Sequence, residues 1–557
     1  MRVRSCFASL SFSCLALSSA VLLAPLVHGK AVWAQDAGPK LDSSSHRAYP
    51  AGPYSTVSTV HGGLDTVIPF FNLEGANGSG LSFAIRHRSN QDQATSFTSI
   101  SGGAGAGWVH SMQEDIGTGG DVTAFRLGNS AGEWFGPNLG STQDTYQRRP
   151  GTRNSLIGYR SSLGGSVNRM EVTTLGDRTR YIYETPALAN NYSILRLSAV
   201  EDASGNRVQH NYQFDPSGLN LPAGATAVGT GRSYSLGYVT IDGNKKVVNS
   251  VTLNTANGSR TWNWDFYPGF RGQVRRVYFP DPNGGSNRPF IEFFYTNEGN
   301  ISDLYDLKGN HWHYEYSAIG TPRPNKIACK SVFKPQANNR ASYDPYPIRF
   351  NWIFADVLDN TLQEEICEIS EPYGNPANPA YRVRKHIYDN GGGNSPYFYK
   401  PIRRVQDPYV ARENANYWET FDWNYNEATL ARHIDRRGKQ TTYTYDATGN
   451  NANKGLVRTV TDALGWVTNY LWSDDLLVSE VIPTGSGQQS RTIHSYNATT
   501  RKRTRTIVDP ASDPNDPGYS RNSAIALTTN YTYIPAGQNG AGELATSWTG
   551  TDSPVRF

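Results

Sequence analysis

Hydrophobic and polar positions alternate along most of this chain. In "TTYTYD" (Thr441 to Asp446) and "VTNYLW" (Val467 to Trp472) an aromatic recurs at every second residue. A period of two predicts strands, because successive side chains on a strand point to opposite faces. Long patterns with the 3.6-residue period of an amphipathic helix are scarce, and the alternating runs are broken by Asn, Asp, Gly and Pro, the residues of turns. The pattern therefore predicts an all-β fold. Composition agrees, with 54 Gly, 31 Pro and 33 Tyr in 557 residues. That length exceeds an ordinary single core and predicts two regions or a repeat array.

The alternating runs share a phrase: an acid, Gly three residues on, a strand ending in two aromatics at i and i+2, then a second turn. Asp-x-x-Gly suits a type I turn, with the acid accepting backbone N–H groups and Gly taking the exit conformation. Asp202/Gly205 leads to Tyr212 and Phe214, and a turn at Asp281 leads to Phe293 and Tyr295. Asp306/Gly309 leads to Tyr314 and Tyr316, and Asp435/Gly438 to Tyr443 and Tyr445, followed by Asp446/Gly449. Asp462/Gly465 leads to Tyr470 and Trp472, and a last copy ends on Tyr531 and Tyr533. The distance from Gly to the first aromatic is odd in every copy. A slip of one residue would turn each aromatic to the opposite face, so one face is predicted to carry a ladder of rings. At 12% aromatic content, chance supplies about one aromatic pair with Gly four residues beyond it, and five are present. The pattern fails between Asn325 and Ala431. Units this thin cannot bury their own aromatic face and must stack on their neighbours, which predicts a long, curled antiparallel sheet.

The first residues differ from the rest. Two Arg precede an apolar, Ser-containing run from Cys6 to Val27, and Ala34 suits cleavage before Gln35. This predicts a signal peptide and export; the alternative is a retained anchor. With Cys6 and Cys14 in that leader, Cys329 and Cys367 remain. Either they form a disulfide, stabilising by about 3–4 kcal/mol on the chain-entropy estimate, or they are two separate buried thiols. A formal net charge of +4 is too small on this length to argue for nucleic acid.

The repeat resembles that of the RHS or YD-repeat family, which reads roughly D-x-x-G-x-x-x-x-Y-x-Y-D-x-x-G. Asp435 to Gly449 matches every marked place. Upstream, "GGLDTVIPFFNLEGANGSGLSFAIRHRSN" and "GAGAGWVHSMQED" are similar to the region preceding such repeats, although the usual Tyr after Arg86 is His87 here. The resemblance implies a spiralling β-sheet shell, in some members a cocoon around a toxic C-terminal domain, in others a surface protein for cell contact or carbohydrate binding. Longer members end in an Asp-Pro-rich core that releases the cargo; "DPASDPNDPGYSRN" does not match it. A short member, or the front of a longer one, is expected.

Catalytic signatures are not found: no Ser elbow, His-Glu-x-x-His, P-loop or zinc spacing. Glu364-Glu365 and Asp474-Asp475 are adjacent acids, which on a strand point to opposite faces, so neither couple is a glycosidase pair. His311 and His313 share a strand face at a spacing that could chelate a metal, against the reading of two polar residues opposite Trp312, Tyr314 and Tyr316. Arg501, Arg503 and Arg505 in "RKRTR" would share a face able to hold an acidic glycan or phosphate, or form a guarded edge.

The expected organisation is a signal peptide at 1–34, a flexible linker at 35–60, an N-terminal β region at 61–195 that caps or plugs an edge, and a repeat sheet at 196–557, irregular over 325–431. The expected role is non-enzymatic, with no cofactor or metal: an exported, envelope-associated shell that encapsulates or presents a polypeptide, such as a toxin partner, or mediates cell contact. The alternative is a surface protein that binds or cleaves carbohydrate through exposed aromatics. No membrane span is expected after signal cleavage.

Overall fold

In the computed structural model, alternation becomes forty strands between Ala48 and Arg556 among the described residues. The description excludes residues 1–47, 60–61, 74–79, 90–103, 105–106, 113–114, 120–122, 127–133, 137–142, 149–154, 161–166, 174–178, 185–193, 203–205, 215–219, 242–244, 269–271, 282–284, 286, 319–326, 338, 354–363, 375–378, 390–401, 407–417, 425–428, 447–455, 474–475, 486–487, 511, 514–515, 521–525, 536–543, 551–554 and 557. The expected leader, Gly205, Gly449 and Asp474-Asp475 lie outside the described residues, as do the side chains of Phe214, Glu364 and Glu365. No helix of the described residues is long and apolar enough to cross a membrane.

The fold is all-β. Strands β6 (Asp115–Gly119) to β40 (Val555–Arg556) form one antiparallel sheet in which each strand pairs with its sequence neighbour, except that β35 (Arg503–Val508) pairs with β38 (Leu527–Tyr533). The intervening β36 (Ser512–Asp513) and β37 (Asp516–Ser520) pair only with each other. Near its start the sheet turns back on itself. The first residues of β13 (Ile194–Glu201) pair with β6, while its last residues pair with β14 (Arg207–Phe214). β6 to β13 thus close an eight-stranded circuit. The sheet as a whole is not closed into a barrel.

A separate five-stranded sheet runs β1 (Ala48–Pro50), β2 (Ser55–Ser58), β3 (Leu64–Leu73), β4 (Leu81–Arg88), β5 (Trp108–His110). Residues 48–58, expected as flexible linker, therefore form its first two strands. Its position also differs from an edge cap. It lies on the aromatic face of the long sheet, from β16 (Arg232–Ile241) to β26 (Ala380–Asp389).

Aromatic packing shows why. Phe70 stacks on Trp264 with centroids 5.5 Å apart, and Phe83 meets Tyr234 at 5.4 Å. Trp108 meets Phe293 at 5.1 Å. Each such ring removes a large apolar area from water, and a two-stranded hairpin has no other cover for its inner face. One extensive apolar core forms between the two sheets, and a smaller one of Tyr388, Ile402, Val405, Phe421 and Leu430 follows it.

Candidate functional site

The turns build as Asp-x-x-Gly chemistry requires. At Asp435 one carboxylate oxygen accepts the N–H groups of Arg437 (2.8 Å) and Lys439 (2.9 Å). The Gly438 N–H bonds the Asp435 carbonyl at 2.9 Å, and Gly438 sits at φ 75°, a region a β-carbon disfavours. The Lys439 and Arg437 N–H groups hold the Asp435 carboxyl below its usual range. Asp306 and Asp462 repeat this geometry, with Gly309 at φ 74° and Gly465 at φ 81°. Asp202 bonds the N–H of Asn206 at 2.9 Å. Gly438→Val is expected to cost roughly 1–2 kcal/mol through the left-handed backbone alone, and Asp435→Ala to lower the melting temperature. Unchanged melting in both variants would count against this role for the turn.

The second aromatic of each copy sits opposite a β-bulge. Thr444 pairs with Thr459 and Tyr445 with Val457, which leaves Arg458 as an extra residue. The same shift recurs at Tyr295, Tyr316, Trp472, Tyr496 and Tyr533. Bulges twist and bend a sheet, so each of these copies bends it.

The polar tip of that aromatic then makes a fixed bond. Tyr445 donates to the Leu430 carbonyl (2.6 Å), and Leu430 is the residue opposite the preceding spine aromatic, Trp423. Trp472 donates to Val457 (2.7 Å), Tyr496 to Leu477 (2.7 Å) and Tyr533 to Arg503 (2.8 Å). In the first half Tyr212 bonds Leu197, Tyr295 bonds Val274 and Tyr316 bonds Ile301, each at 2.7 Å. Each of these rings thus ties its hairpin to the strand opposite the ring before it, forming a spine along the sheet. Tyr445→Phe keeps the ring and orphans the Leu430 carbonyl; the expected cost is about 1 kcal/mol in urea unfolding.

The spine corrects the sequence reading at two places. In the copy at Asp202 the bulge lies at Tyr212, not Phe214, so His210 and Tyr212 form the pair. Through 325–431, where the phrase fails, the same bond recurs: Trp352 donates to Cys329 (3.0 Å) and Trp423 to Ile402 (2.7 Å), while Tyr388 between them shares its hydroxyl with Thr59. Dropping the requirement for a leading Asp-x-x-Gly would have found Phe350/Trp352 and Phe421/Trp423, and allowing His or Leu at the first place would have found His494/Tyr496 and Leu236/Tyr238.

The five-stranded sheet is held on this face by polar contacts as well as rings. Cys329 N–H donates to the Gly62 carbonyl (2.8 Å), Trp108 Nε1 to Tyr295 Oη (2.9 Å), and Trp264 Nε1 to the Ala104 carbonyl (3.2 Å). Thr59 and Tyr388 hydroxyls lie 2.6 Å apart, and Tyr49 donates to Glu371 at 2.5 Å. Beneath it the first-position rings Phe293 and Tyr314 are 0% and 1% exposed. Of their counterparts beyond β26, Phe421 and His494 are also buried, while Tyr443, Tyr470 and Tyr531 are partly buried. Among the described residues the aromatic face is covered continuously by β1 to β5 over β16 to β26 and is more exposed at Tyr443, Tyr470 and Tyr531.

The other candidate residues have structural surroundings. Cys329 and Cys367 are free and buried. β24 (Ile348–Ile353) lies between β23 (Ile327–Phe333) and β25 (Glu364–Tyr373), which carry them. Two strand spacings put their backbones about 10 Å apart, beyond the reach of about 7 Å that a disulfide spans. Burial raises both thiols well above their usual range, which makes them poor nucleophiles. His311 Nε2 and His313 Nδ1 both bond Asp303 Oδ1, at 2.8 and 2.7 Å, and their rings stack on Tyr305 and Tyr343. Burial would raise the Asp303 carboxyl, but the bonds from His313, His311 and Ser302 outweigh it and hold the group low. Among the described residues no group of three or more His, Cys, Asp or Glu side chains is placed to hold a metal ion. In "RKRTR" the bulge breaks the expected alternation. Arg503 pairs with Tyr496 and is buried, while Arg505 pairs with Ser495 and faces the other way.

No family model matches the sequence, and no curated protein matches it. Among solved structures the chain is similar to the Photorhabdus luminescens Tc holotoxin pore, at 9% identity and a TM-score of 0.27, covering 88% of this chain and 30% of that one. It is similar to TcdB2-TccC3 without its hypervariable C-terminal region, at 10% identity and a TM-score of 0.26, covering 96% and 33%. The N-terminal domain of effector protein SpvB from Salmonella typhimurium strain LT2 gives 12% identity and a TM-score of 0.21, covering 58% of this chain and 100% of that one. The chain spans about a third of the length of the toxin-complex chains it matches. Overlaps this loose carry no functional argument; the residues of the chain itself must supply one.

Proposed function

We propose that the chain is an exported, non-enzymatic β-sheet scaffold whose aromatic face packs polypeptide. Its own strands β1 to β5 occupy that face over β16 to β26, and a separate polypeptide, such as a toxin component, occupies it beyond. The supporting observation is the seated five-stranded sheet. Over β16 to β26 the face receives an extended segment presenting rings and backbone carbonyls, through its own rings and N–H or O–H donors. The spine aromatics spend their polar tips on backbone carbonyls rather than presenting them outward, which favours polypeptide packing over sugar stacking. The repeat's resemblance to β-shell proteins points the same way.

The test is the native mass and composition of the exported product, captured with an antibody against Asp435 to Trp472. A second polypeptide that resists protease until denaturant is added would support the scaffold reading. A product near the 61.4 kDa chain less its leader would oppose it if it also bound soluble glycan, and lost that binding in a folded Tyr470→Ala variant.

A further inference from the structure

Three turns of identical geometry allow a comparison within the chain itself. Asp306-Leu307-Lys308-Gly309-Asn310, Asp435-Arg436-Arg437-Gly438-Lys439 and Asp462-Ala463-Leu464-Gly465-Trp466 share the carboxylate cap and the left-handed glycine. Their third, fifth and sixth places are therefore equivalent. Two copies place Lys308, Asn310 and His311, or Arg437, Lys439 and Gln440, there. The third places Leu464, Trp466 and Val467, which are 73%, 45% and 38% exposed. Nothing in the turn requires these residues, since the cap and the glycine suffice in the other copies. Exposed apolar side chains grouped on one projecting tip indicate contact with something apolar.

The neighbouring tip supplies the charge. β30 (Gln440–Tyr445) pairs with β31 (Val457–Thr461), Thr442 opposite Thr461, so the turns at Asp435 and Asp462 stand side by side at one end of the sheet. Two strand spacings separate the hairpins by about 10 Å. The Asp435 tip exposes Arg436, Arg437 and Lys439. The Asp435 carboxylate is engaged with its own turn, and Arg436 lies 3.9 Å from Glu419.

We propose that these two tips form a docking surface for an anionic lipid bilayer, a site independent of the polypeptide reading above. Leu464 and Trp466 enter the boundary between headgroups and acyl chains, where an indole prefers to lie, and the three cations meet anionic headgroups. A projecting apolar tip flanked by like charges suits a soft, negatively charged surface.

The experiment is co-flotation of the full exported chain with vesicles of phosphatidylcholine alone, or containing roughly a third phosphatidylglycerol. Binding is expected to the anionic vesicles and to weaken with added salt. Leu464→Ser with Trp466→Ser should reduce it about tenfold or more. Arg437→Gln with Lys439→Gln, which leaves the apolar tip intact, should reduce it about fivefold per charge. All four residues are exposed and Asp462 and Gly465 are retained, so thermal melting should not move. Absence of vesicle binding, or binding unchanged in both double variants, overturns the proposal. So does a native mass that falls in the Leu464/Trp466 variant, because the tip would then be a contact between copies of the chain.

Discussion

Replacing Gly62 by valine is expected to unseat the five-stranded sheet from the aromatic face. Gly62 sits at φ 73°, and a β-carbon there would lie 2.6 Å from the Ala328 β-carbon and 3.2 Å from the Trp352 ring. Neither neighbour can yield freely. Ala328 is buried in β23, and Trp352 is held by its bond to the Cys329 carbonyl. The combined cost of a left-handed valine and an overpacked contact is roughly 2–5 kcal/mol, and the Cys329 N–H loses its acceptor if the loop lifts. Gly229→Val is the control: it has a similar backbone, φ 83°, with nothing within 4 Å of the added carbon. Protease accessibility of residues 48–110 should rise steeply in the first variant and little in the second. Equal protection in both would show that the sheet is not seated at this point.

Acidification is expected to loosen the same interface. His87, on β4, is fully buried against Trp108 and Tyr295. Burial pushes its imidazole down to about 4, despite a bond to the Gly299 backbone that acts the other way. An unfolded histidine titrates near 6.5. Between those values the unfolded chain binds a proton that the folded chain refuses, so stability rises with pH. The contribution is fully present above about 6.5, is lost as pH falls towards 4, and levels off below that, where both states are protonated. Over the whole window His87 alone accounts for about 3 kcal/mol. His210, also driven down to about 4 by burial, adds in the same direction. Urea midpoints at stepped pH should therefore fall more steeply below pH 6.5 in the parent chain than in His87→Leu. The comparison of slopes matters here, since the leucine also removes a hydrogen bond and shifts absolute stability. Parallel slopes would show that His87 does not drive the acid loss.

What could be read from the amino acids alone was local. The Asp-x-x-Gly turns at 306, 435 and 462 need only a capping acid and a residue tolerant of positive φ, and both are legible at fixed spacing. Aromatics two apart on one face follow from the geometry of a strand, so the ladder at Tyr314/Tyr316 and Tyr443/Tyr445 could be placed before any coordinates. The bulge was not legible, because it is an extra residue on the following strand, set by pairing across a loop of variable length. Without it the parity of Arg503 and Arg505 is misread, and Tyr212 is given the wrong partner. The spine at Trp352 and Trp423 escaped for another reason: it needs only a hydrogen-bond donor at the tip of a ring, and neither strand is entered from an Asp-x-x-Gly turn.

By itself, then, the sequence determined the all-β class, the turns and the aromatic stripe, because these depend on conformational preference and a period of two. Only the tertiary structure decided that Ala48–Pro50 and Ser55–Ser58 are strands, that Cys329 and Cys367 stand one strand too far apart to bond, and that the stripe is covered by a second sheet over β16 to β26. Each of those depends on which strand lies beside or above which. Distances across a sheet are set by pairings between residues far apart in the chain, and no local pattern encodes them.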